Sequence, residues 1–235
     1  MAIILHIETA TIVCSIALSR DEKLLSLKES SRKNSHAAAI TLLINEALEE
    51  SGVHLSSIDA VAVSKGPGSY TGLRIGVATA KGLCYALEKP LIAVGTLEAM
   101  ALGMRDVFAG TGCNLSLQYC PMIDARRMEV FYGIYNPGGK EVHAPAAEIV
   151  DEHSFTDYLK THTFVFGGDG AMKCESVFTN KKNMIFLEDF NPSAKFMIPL
   201  SYRKFLSDDF ENPAYFEPYY LKDFVAGKPR VKGLL

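Results

Sequence analysis

The chain has 235 residues, of which 48% are hydrophobic and 22% are charged. This composition is typical of a globular protein and excludes a mainly disordered chain, a collagen-like chain and a coiled coil. The 24 basic and 27 acidic side chains leave a net charge of −3, whereas a protein that binds nucleic acid by itself usually carries a large cationic surface. We therefore do not expect nucleic acid to be the sole direct ligand.

The cysteines and the first residues favour a cytoplasmic protein. The cysteines are odd in number, are widely spaced and contain no C-x-x-C pair: Cys14, Cys84, Cys113, Cys120 and Cys174. This pattern favours free thiols over a disulfide framework or a zinc site. No basic region precedes the first apolar run, so we expect no signal peptide, and no apolar stretch approaches the roughly 18 residues of a membrane span.

The first hundred residues predict an α/β lobe with a mixed sheet. Short apolar runs predict strands at 3–7, 13–18, 23–28, 60–63 and 91–94, and helical periodicity predicts helices at 35–52, at 70–87 and from Thr96 onward. Ser35 is predicted to cap the first of these helices. The alternation of apolar strands with crossover helices is typical of such a sheet.

A change in composition near residues 105–114 predicts a boundary between two lobes, 1–105 and 106–235. Beyond it, strands are predicted at 120–124, 129–135 and 163–166. A Ser-x-x-Asp pattern at Ser154 predicts a capped helix over 154–160. The last thirty or so residues are rich in aromatic residues, Pro and Lys, which predicts an irregular tail.

The first two predicted helices are apolar on more than one side, which is unusual for surface helices. Residues 37–44 contain one polar side chain, Thr41, and Gly72, Gly76 and Ala80 follow each other at four-residue spacing. Either both helices are sandwiched inside a large domain, or they share an apolar face that binds another protein. The pattern alone leaves both interpretations open.

Two segments are candidates for binding an anion. Residues 64–72 join a strand to a helix, where backbone N–H groups favour a phosphate, although the Walker A order is absent. A tight turn with Ser69 as the helix cap explains the same residues, and the glycine turn at 167–170 is a weaker candidate. Asp124 with Arg126 and Arg127 either binds an acidic group or forms a charged turn.

The residues that usually carry metal or nucleophilic chemistry are not arranged for it. No two of the six histidines stand three or four residues apart, so no helical pair of metal ligands is expected. No G-x-S-x-G motif occurs either. The sequence therefore predicts no catalytic constellation.

One long block of the sequence carries a resemblance to a known family. Residues 66–83, Gly-Pro-Gly-Ser-Tyr-Thr-Gly-Leu-Arg-Ile-Gly-Val-Ala-Thr-Ala-Lys-Gly-Leu, strongly resemble the signature of the bacterial TsaB (YeaZ) family, as do residues 90–99, 124–131 and 217–222. The resemblance implies an actin/hexokinase/Hsp70-like (ASKHA) fold of two related α/β lobes with mixed sheets and flanking helices. It also implies a part in making N6-threonylcarbamoyladenosine next to the anticodon of tRNA.

The resemblance further implies partners. Members of this family are non-catalytic paralogues of TsaD, the metal-dependent transferase, and they bind TsaD and help recruit the ATPase TsaE. The family contact uses the first two helices, which favours the interpretation as an interface, and tRNA is then an indirect partner. The residues expected on the partner face are His36, Ala39, Ile40, Leu43, Gly72, Leu73, Gly76 and Ala80. We expect the same face to form a homodimer when TsaD is absent.

Departures from the catalytic relatives argue against chemistry by this chain. The catalytic paralogue has two metal-binding histidines four residues apart, whereas here His36 is followed by Ile40. Glu8 stands where the ASKHA phosphate loop usually begins with Asp, so nucleotide hydrolysis is not expected. We expect no metal and no cofactor, and a nucleotide only at a complex interface. The residues expected to contact its phosphates are Glu8, Gly66, Gly68, Ser69 and Thr71.

Cationic contacts and rival functions complete the expectations. The basic residues expected to contact tRNA or a nucleotide are Lys65, Arg74, Lys81, Lys222, Lys228, Arg230 and Lys232. The rival class is an enzyme, either a glycoprotease-like metallopeptidase or an ASKHA phosphotransferase. A third alternative is a self-associating structural protein that makes no contact with TsaD.

Overall fold

The computed structural model describes residues 1–32, 36–109, 117–179 and 181–222. The predicted cap Ser35, the thiol of Cys113 and the basic residues Lys228, Arg230 and Lys232 lie outside the described residues. The strands are β1 Ile3–Glu8, β2 Cys14–Arg20, β3 Lys23–Ser30, β4 Ala60–Gly66, β5 Leu91–Gly95, β6 Leu117–Asp124, β7 Glu129–Tyr135, β8 Glu141–Ile149, β9 Thr163–Gly167 and β10 Met184–Leu187. The helices are α1 His36–Ser51, α2 Tyr70–Leu87, α3 Thr96–Ala109, α4 Thr156–Leu159, α5 Asp169–Cys174 and α6 Ile198–Leu206.

The first sheet has the strand order β3-β2-β1-β4-β5. β1, β2 and β3 form an antiparallel meander, and β4 and β5 join it in parallel through the crossover helices α1 and α2. Both helices cover the same face of the sheet, where they share one apolar cluster with the strands, including Leu5, Ile7, Ile16, Ile40, Leu43, Val61 and Val77. Because successive side chains along each strand point to opposite faces of the sheet, the remaining apolar side chains are left to pack against other elements on the second face.

The second sheet repeats the topology of the first. Its order is β10-β9-β6-β7-β8, with a meander of β6, β7 and β8 and two further parallel strands, β9 and β10. Its core is aromatic: the rings of Phe166 and Phe186 lie 5.1 Å apart, and those of Phe155 and Phe166 lie 5.7 Å apart. Two α/β lobes with mixed sheets confirm the predicted fold class.

The far end of the chain returns to the first lobe. Met197 and Leu200 pack against Ile4 and Ile92 on the face opposite α1 and α2, and the Glu211 N–H donates to the Leu91 carbonyl over 2.8 Å. The predicted boundary at residue 105 therefore does not separate two independent stretches of chain, since part of 106–235 completes the first sheet's core. None of the described helices has the length and apolar character to cross a membrane.

The predicted elements are confirmed where periodicity was strong and are wrong where it was weak. α2 begins and ends where predicted, with Ser69 as its N-cap, and β7 has its predicted bounds. The helix predicted over 154–160 shrinks to the four residues of α4, because the Ser154 hydroxyl bonds to Asp151 and does not cap the helix. β8, β10, α5 and α6 were not predicted.

Candidate functional site

A cavity of about 730 Å³ lies between the two lobes. The first lobe contributes the β1–β2 turn (residues 10–12) and the first residues of α1 and α2. The second lobe contributes the β6–β7 turn and Asp169 at the start of α5, and residues 219–222 complete the wall. Cavities of this size accommodate small organic ligands.

The glycine-rich block packs tightly against the β1–β2 turn. A Cβ atom added at Gly68, Gly72 or Gly76 would overlap the backbone of Ala10, the Thr9 carbonyl or the Thr9 hydroxyl, respectively. The Ser69 N–H donates to the Ala10 carbonyl over 2.6 Å, and the Ser69 hydroxyl accepts from the Gly72 N–H over 3.3 Å. Intrachain packing and helix capping therefore account for the spacing of these glycines.

The predicted phosphate-contact residues are not all at the cavity. Gly68, Ser69 and Thr71 line it, whereas Glu8 and Gly66 do not. Glu8 is 1% exposed, and its Oε1 accepts from the Ala10 N–H over 2.7 Å and from the Ser64 hydroxyl over 2.9 Å. Burial raises the pKa of Glu8 to about 7 although these hydrogen bonds oppose the shift. The carboxyl group thus holds the β1–β2 turn and faces away from the cavity.

His36 lines the cavity at the start of α1. Its Nε2–H donates to the Thr11 carbonyl over 2.9 Å, and Ile40, one turn later, is buried in the core. Within the described residues, no group of three or more His, Cys, Asp and Glu side chains is placed to hold a metal ion. The expectation of a metal-free protein stays a prediction.

The second lobe's wall is a charged turn. Asp124 accepts from the Arg126 N–H over 2.7 Å and pairs with Lys173 over 2.5 Å. Arg126 and Arg127 both have left-handed backbone, with φ of 73° and 52°. Asp169 accepts from the Asp124 N–H over 2.9 Å, and burial raises the pKa of Asp169. The structure therefore realises the charged-turn interpretation, with both arginine side chains exposed.

Residues 211–222, which we name the C-terminal strap, run along the first lobe and enter the cavity. The Tyr219 N–H donates to the Lys65 carbonyl over 2.7 Å, and the Tyr220 ring lies 4.9 Å from that of Tyr70. The Lys222 ammonium contacts both carboxylate oxygens of Glu129 at 2.7 and 2.5 Å. No sequence pattern pointed to these contacts, because the partners lie far apart in the chain.

The basic residues expected to contact tRNA or a nucleotide are largely engaged within the chain. Lys81 donates to the Phe216 carbonyl over 3.0 Å, and Lys222 pairs with Glu129. The Arg74 guanidinium donates to the Tyr70 hydroxyl over 3.1 Å and lies 5.3 Å from the centre of that ring. The expected contacts with tRNA or a nucleotide stay a prediction.

Most of the predicted partner-face residues are buried within this chain. Four of them, Ile40, Leu43, Leu73 and Ala80, are buried inside this chain, and Gly72 and Gly76 pack against Thr9. Only His36 and Ala39 are half-exposed. Gly72, Gly76 and Ala80 lie on the side of α2 that packs against the first lobe itself. The expectation that they form an exposed flat face is therefore corrected.

The opposite side of the same helices is exposed and apolar. We name it the outer helix face and define it by five exposed residues: Ala38, Leu42, Ala78, Gly82 and Tyr85. Leu42 is 58% exposed and Tyr85 is 88% exposed. Ala38 and Leu42 are four residues apart in α1, and Ala78, Gly82 and Tyr85 are four and three residues apart in α2. These spacings put the two residues on one side of α1 and the three on one side of α2.

The repeated lobe topology and the cleft between the lobes define the ASKHA class of proteins. An inorganic polyphosphate/ATP-glucomannokinase from Arthrobacter shares this fold with a TM-score of 0.52, 13% identity and coverage of 88% of this chain and 100% of that one. A Pseudomonas aeruginosa protein described as similar to the peptidase YeaZ is closer in shape. It superposes with a TM-score of 0.80 at 24% identity, over 94% of this chain and 100% of the other.

Sequence comparison places the chain within this class. Residues 23–223 match the family described as TsaD, tRNA N6-adenosine threonylcarbamoyltransferase. The chain is 32% identical, over 96% of both proteins, to the tRNA threonylcarbamoyladenosine biosynthesis protein TsaB of Escherichia coli strain K12. The chain belongs to the TsaB (YeaZ) family, which confirms the resemblance noted in its glycine-rich block.

Proposed function

We propose that this chain is a non-catalytic scaffold subunit in the biosynthesis of N6-threonylcarbamoyladenosine in tRNA. In this role the outer helix face binds a TsaD-like transferase, and the complex recruits a TsaE-like ATPase. The chain contacts tRNA only through the complex, in the cytoplasm. Without the transferase, the same face pairs with a second copy of the chain.

The observation that carries the proposal is Gly82. It lies inside α2, where glycine costs about 1 kcal/mol relative to alanine, and a Cβ atom added there would meet nothing within 4 Å. Among the described residues, no contact within the chain therefore requires a glycine at this position. A partner whose backbone approaches α2 closely does require one, because any side chain would hold it away.

The residues around Gly82 fit such a contact. Ala38 and Ala78 are small and exposed, so they leave room for close approach. Leu42 and Tyr85 are large and mostly exposed, and such side chains act as anchors when they are buried in an interface. Exposed apolar surface of this kind marks binding sites for other proteins.

The cavity supports the non-catalytic part of the proposal. Glu8 is turned inward onto the Ala10 N–H and the Ser64 hydroxyl, so its carboxylate is not placed to hold a metal-bound phosphate. The His36 Nε2–H is engaged with the Thr11 carbonyl. We propose no cofactor for the isolated chain, and a nucleotide only at the interface of the complex.

Size-exclusion chromatography with light scattering tests the proposal with the transferase from the same organism. We expect the wild-type chain to form a mixed complex, Gly82→Ala to form it more weakly because its methyl group holds the partner away, and Gly82→Phe to stay folded and not form it. Asp106→Phe, at an exposed position of α3, is the matched control and should bind normally.

Two outcomes would contradict the proposal in different ways. Normal complex formation by a folded Gly82→Phe variant would move the interface away from the outer helix face. Failure of the wild-type chain to bind the transferase would reject the scaffold role itself. ATP turnover or stoichiometric bound metal in the isolated chain would then favour the enzyme alternatives.

A further inference from the structure

The C-terminal strap is fixed to the first lobe at several points. The Tyr219 N–H donates to the Lys65 carbonyl at the end of β4 over 2.7 Å, and Lys81 on α2 donates to the Phe216 carbonyl over 3.0 Å. Gly66 has φ of +107°, and a Cβ atom there would lie 2.7 Å from the Tyr219 carbonyl oxygen. A side chain at residue 66 would therefore displace the strap.

The end of the strap is fixed to the second lobe. Lys222 contacts both carboxylate oxygens of Glu129, the first residue of β7. The Glu129 side chain is only 18% exposed, whereas that of Lys222 is 49% exposed. The Glu129 carbonyl also accepts from Lys173 over 2.6 Å, so the acceptor group belongs to a well-anchored part of that lobe.

The distance along the chain between these two attachments is short. Tyr219 and Lys222 are three residues apart, and three residues span at most about 11 Å when fully extended. The lobes therefore cannot separate far at this side of the cavity while both attachments hold. The ion pair is the weaker of the two attachments, because its Lys222 side is half-exposed and salt and water screen it there.

We propose that the C-terminal strap is a latch that joins the two lobes and sets the width of the cavity between them. Breaking the Lys222–Glu129 ion pair releases the latch and widens the cavity on the side of the strap, while the apolar packing of α3 against the second sheet keeps the lobes joined. The hydrogen bonds at Lys65 and Lys81 keep the strap on the first lobe. The proposal concerns the isolated chain and does not depend on the transferase-binding role.

Distances between spin labels on the two lobes test the latch in the full-length chain. Cysteines introduced at the exposed positions Glu49 and Lys140 carry the labels, in a background with Cys113→Ser. We expect one narrow distance distribution for the wild type and a broader, longer one for Lys222→Met and for Glu129→Gln. Lys222→Arg keeps the cation and should keep the narrow distribution.

Hydrogen exchange gives a second readout of the same variants. Release of the latch should raise exchange in peptides from both walls of the cavity, 64–72 and 123–131, by up to about fivefold, which is the most that a partly exposed ion pair supports. Lys160→Met, which breaks an exposed ion pair with Asp157 elsewhere in the second lobe, should change neither readout. Wild-type distances and exchange in Lys222→Met would overturn the proposal.

Discussion

Replacing Gly76 by alanine should destabilise the fold although alanine is the better helix former. A Cβ atom at residue 76 would overlap the Thr9 hydroxyl and lie 3.3 and 3.4 Å from the Thr9 Cβ and Cγ2 atoms. The helix gains about 1 kcal/mol from the exchange, whereas overpacking a buried site costs about 1–3 kcal/mol. We therefore expect a net loss of up to about 2 kcal/mol in the free energy of unfolding.

Two comparisons isolate the contact with Thr9. Gly82→Ala, in the same helix but facing open space, should gain about 0.5–1 kcal/mol. In a Thr9→Ala background the overlapping atoms are gone, so Gly76→Ala should cost about 1–2 kcal/mol less than in the wild type. The Thr9 hydroxyl has no hydrogen-bond partner among the described residues, so its removal leaves no other group unpaired.

Urea denaturation followed by circular dichroism measures the free energy of unfolding of the wild type, the three single variants and the double variant. For a protein of this length, 1 kcal/mol also corresponds to a shift of about 2–4 °C in the melting temperature. Equal stabilisation by Gly76→Ala and Gly82→Ala would refute the close approach of α2 to the β1–β2 turn. Additive effects of Gly76→Ala and Thr9→Ala would refute Thr9 as the colliding residue.

Three further predictions concern polar groups of the first lobe and are all checked by urea denaturation. The pKa of Glu8 is raised to about 7 in the folded protein, so the stability that its protonated form contributes is fully present below the unfolded value of 4.5 and is lost as the pH rises through 7. The free energy of unfolding of Glu8→Gln should therefore gain about 3 kcal/mol relative to the wild type between pH 5 and pH 8. A difference that does not depend on pH would contradict this. Burial lowers the pKa of His6 to about 3, so the stability that its neutral form contributes is present above pH 6.5 and is lost as the pH falls toward 3. The free energy of unfolding should therefore fall less steeply over this range in His6→Asn than in the wild type. An unchanged slope would exclude His6 as the cause of the loss of stability in acid. Ser69→Ala removes the cap on the Gly72 N–H and should cost about 1 kcal/mol, whereas Ser207→Ala, in an exposed turn, should change stability by less than 0.5 kcal/mol.

Local patterns predicted the first lobe well because its elements have strong, regular periodicity. The apolar strands β1, β4 and β5 and the capped helix α2 are each specified by their own residues. β8 was missed because it is a partly exposed edge strand with Pro145 inside it, so neither alternation nor a continuous apolar run marks it.

The candidate site was predictable in place but not in orientation. The glycine-rich block and the two apolar helices were recognised, yet which side of α2 faces the sheet depends on long-range contacts. Gly76 and Gly82 look alike in sequence, although among the described residues a Cβ atom would meet Thr9 at the first and no atom within 4 Å at the second. The strap depends on the pairing of Lys222 with Glu129, 93 residues apart, and no local pattern encodes such a pair.

The repeated topology of the two lobes is accompanied by an inequality in their helices. In the first lobe the connections after the meander are helices of 16 and 18 residues; in the described part of the second lobe the equivalent connections contain α4 and α5, of four and six residues. The described residues therefore contain one pair of long helices, whereas an exact repeat of the first lobe would have contained two. A subunit with two such surfaces would propagate into open chains by adding copies at either end. In the proposed association, one such surface stops the assembly at a pair, so a single binding event would both form the assembly and end its growth.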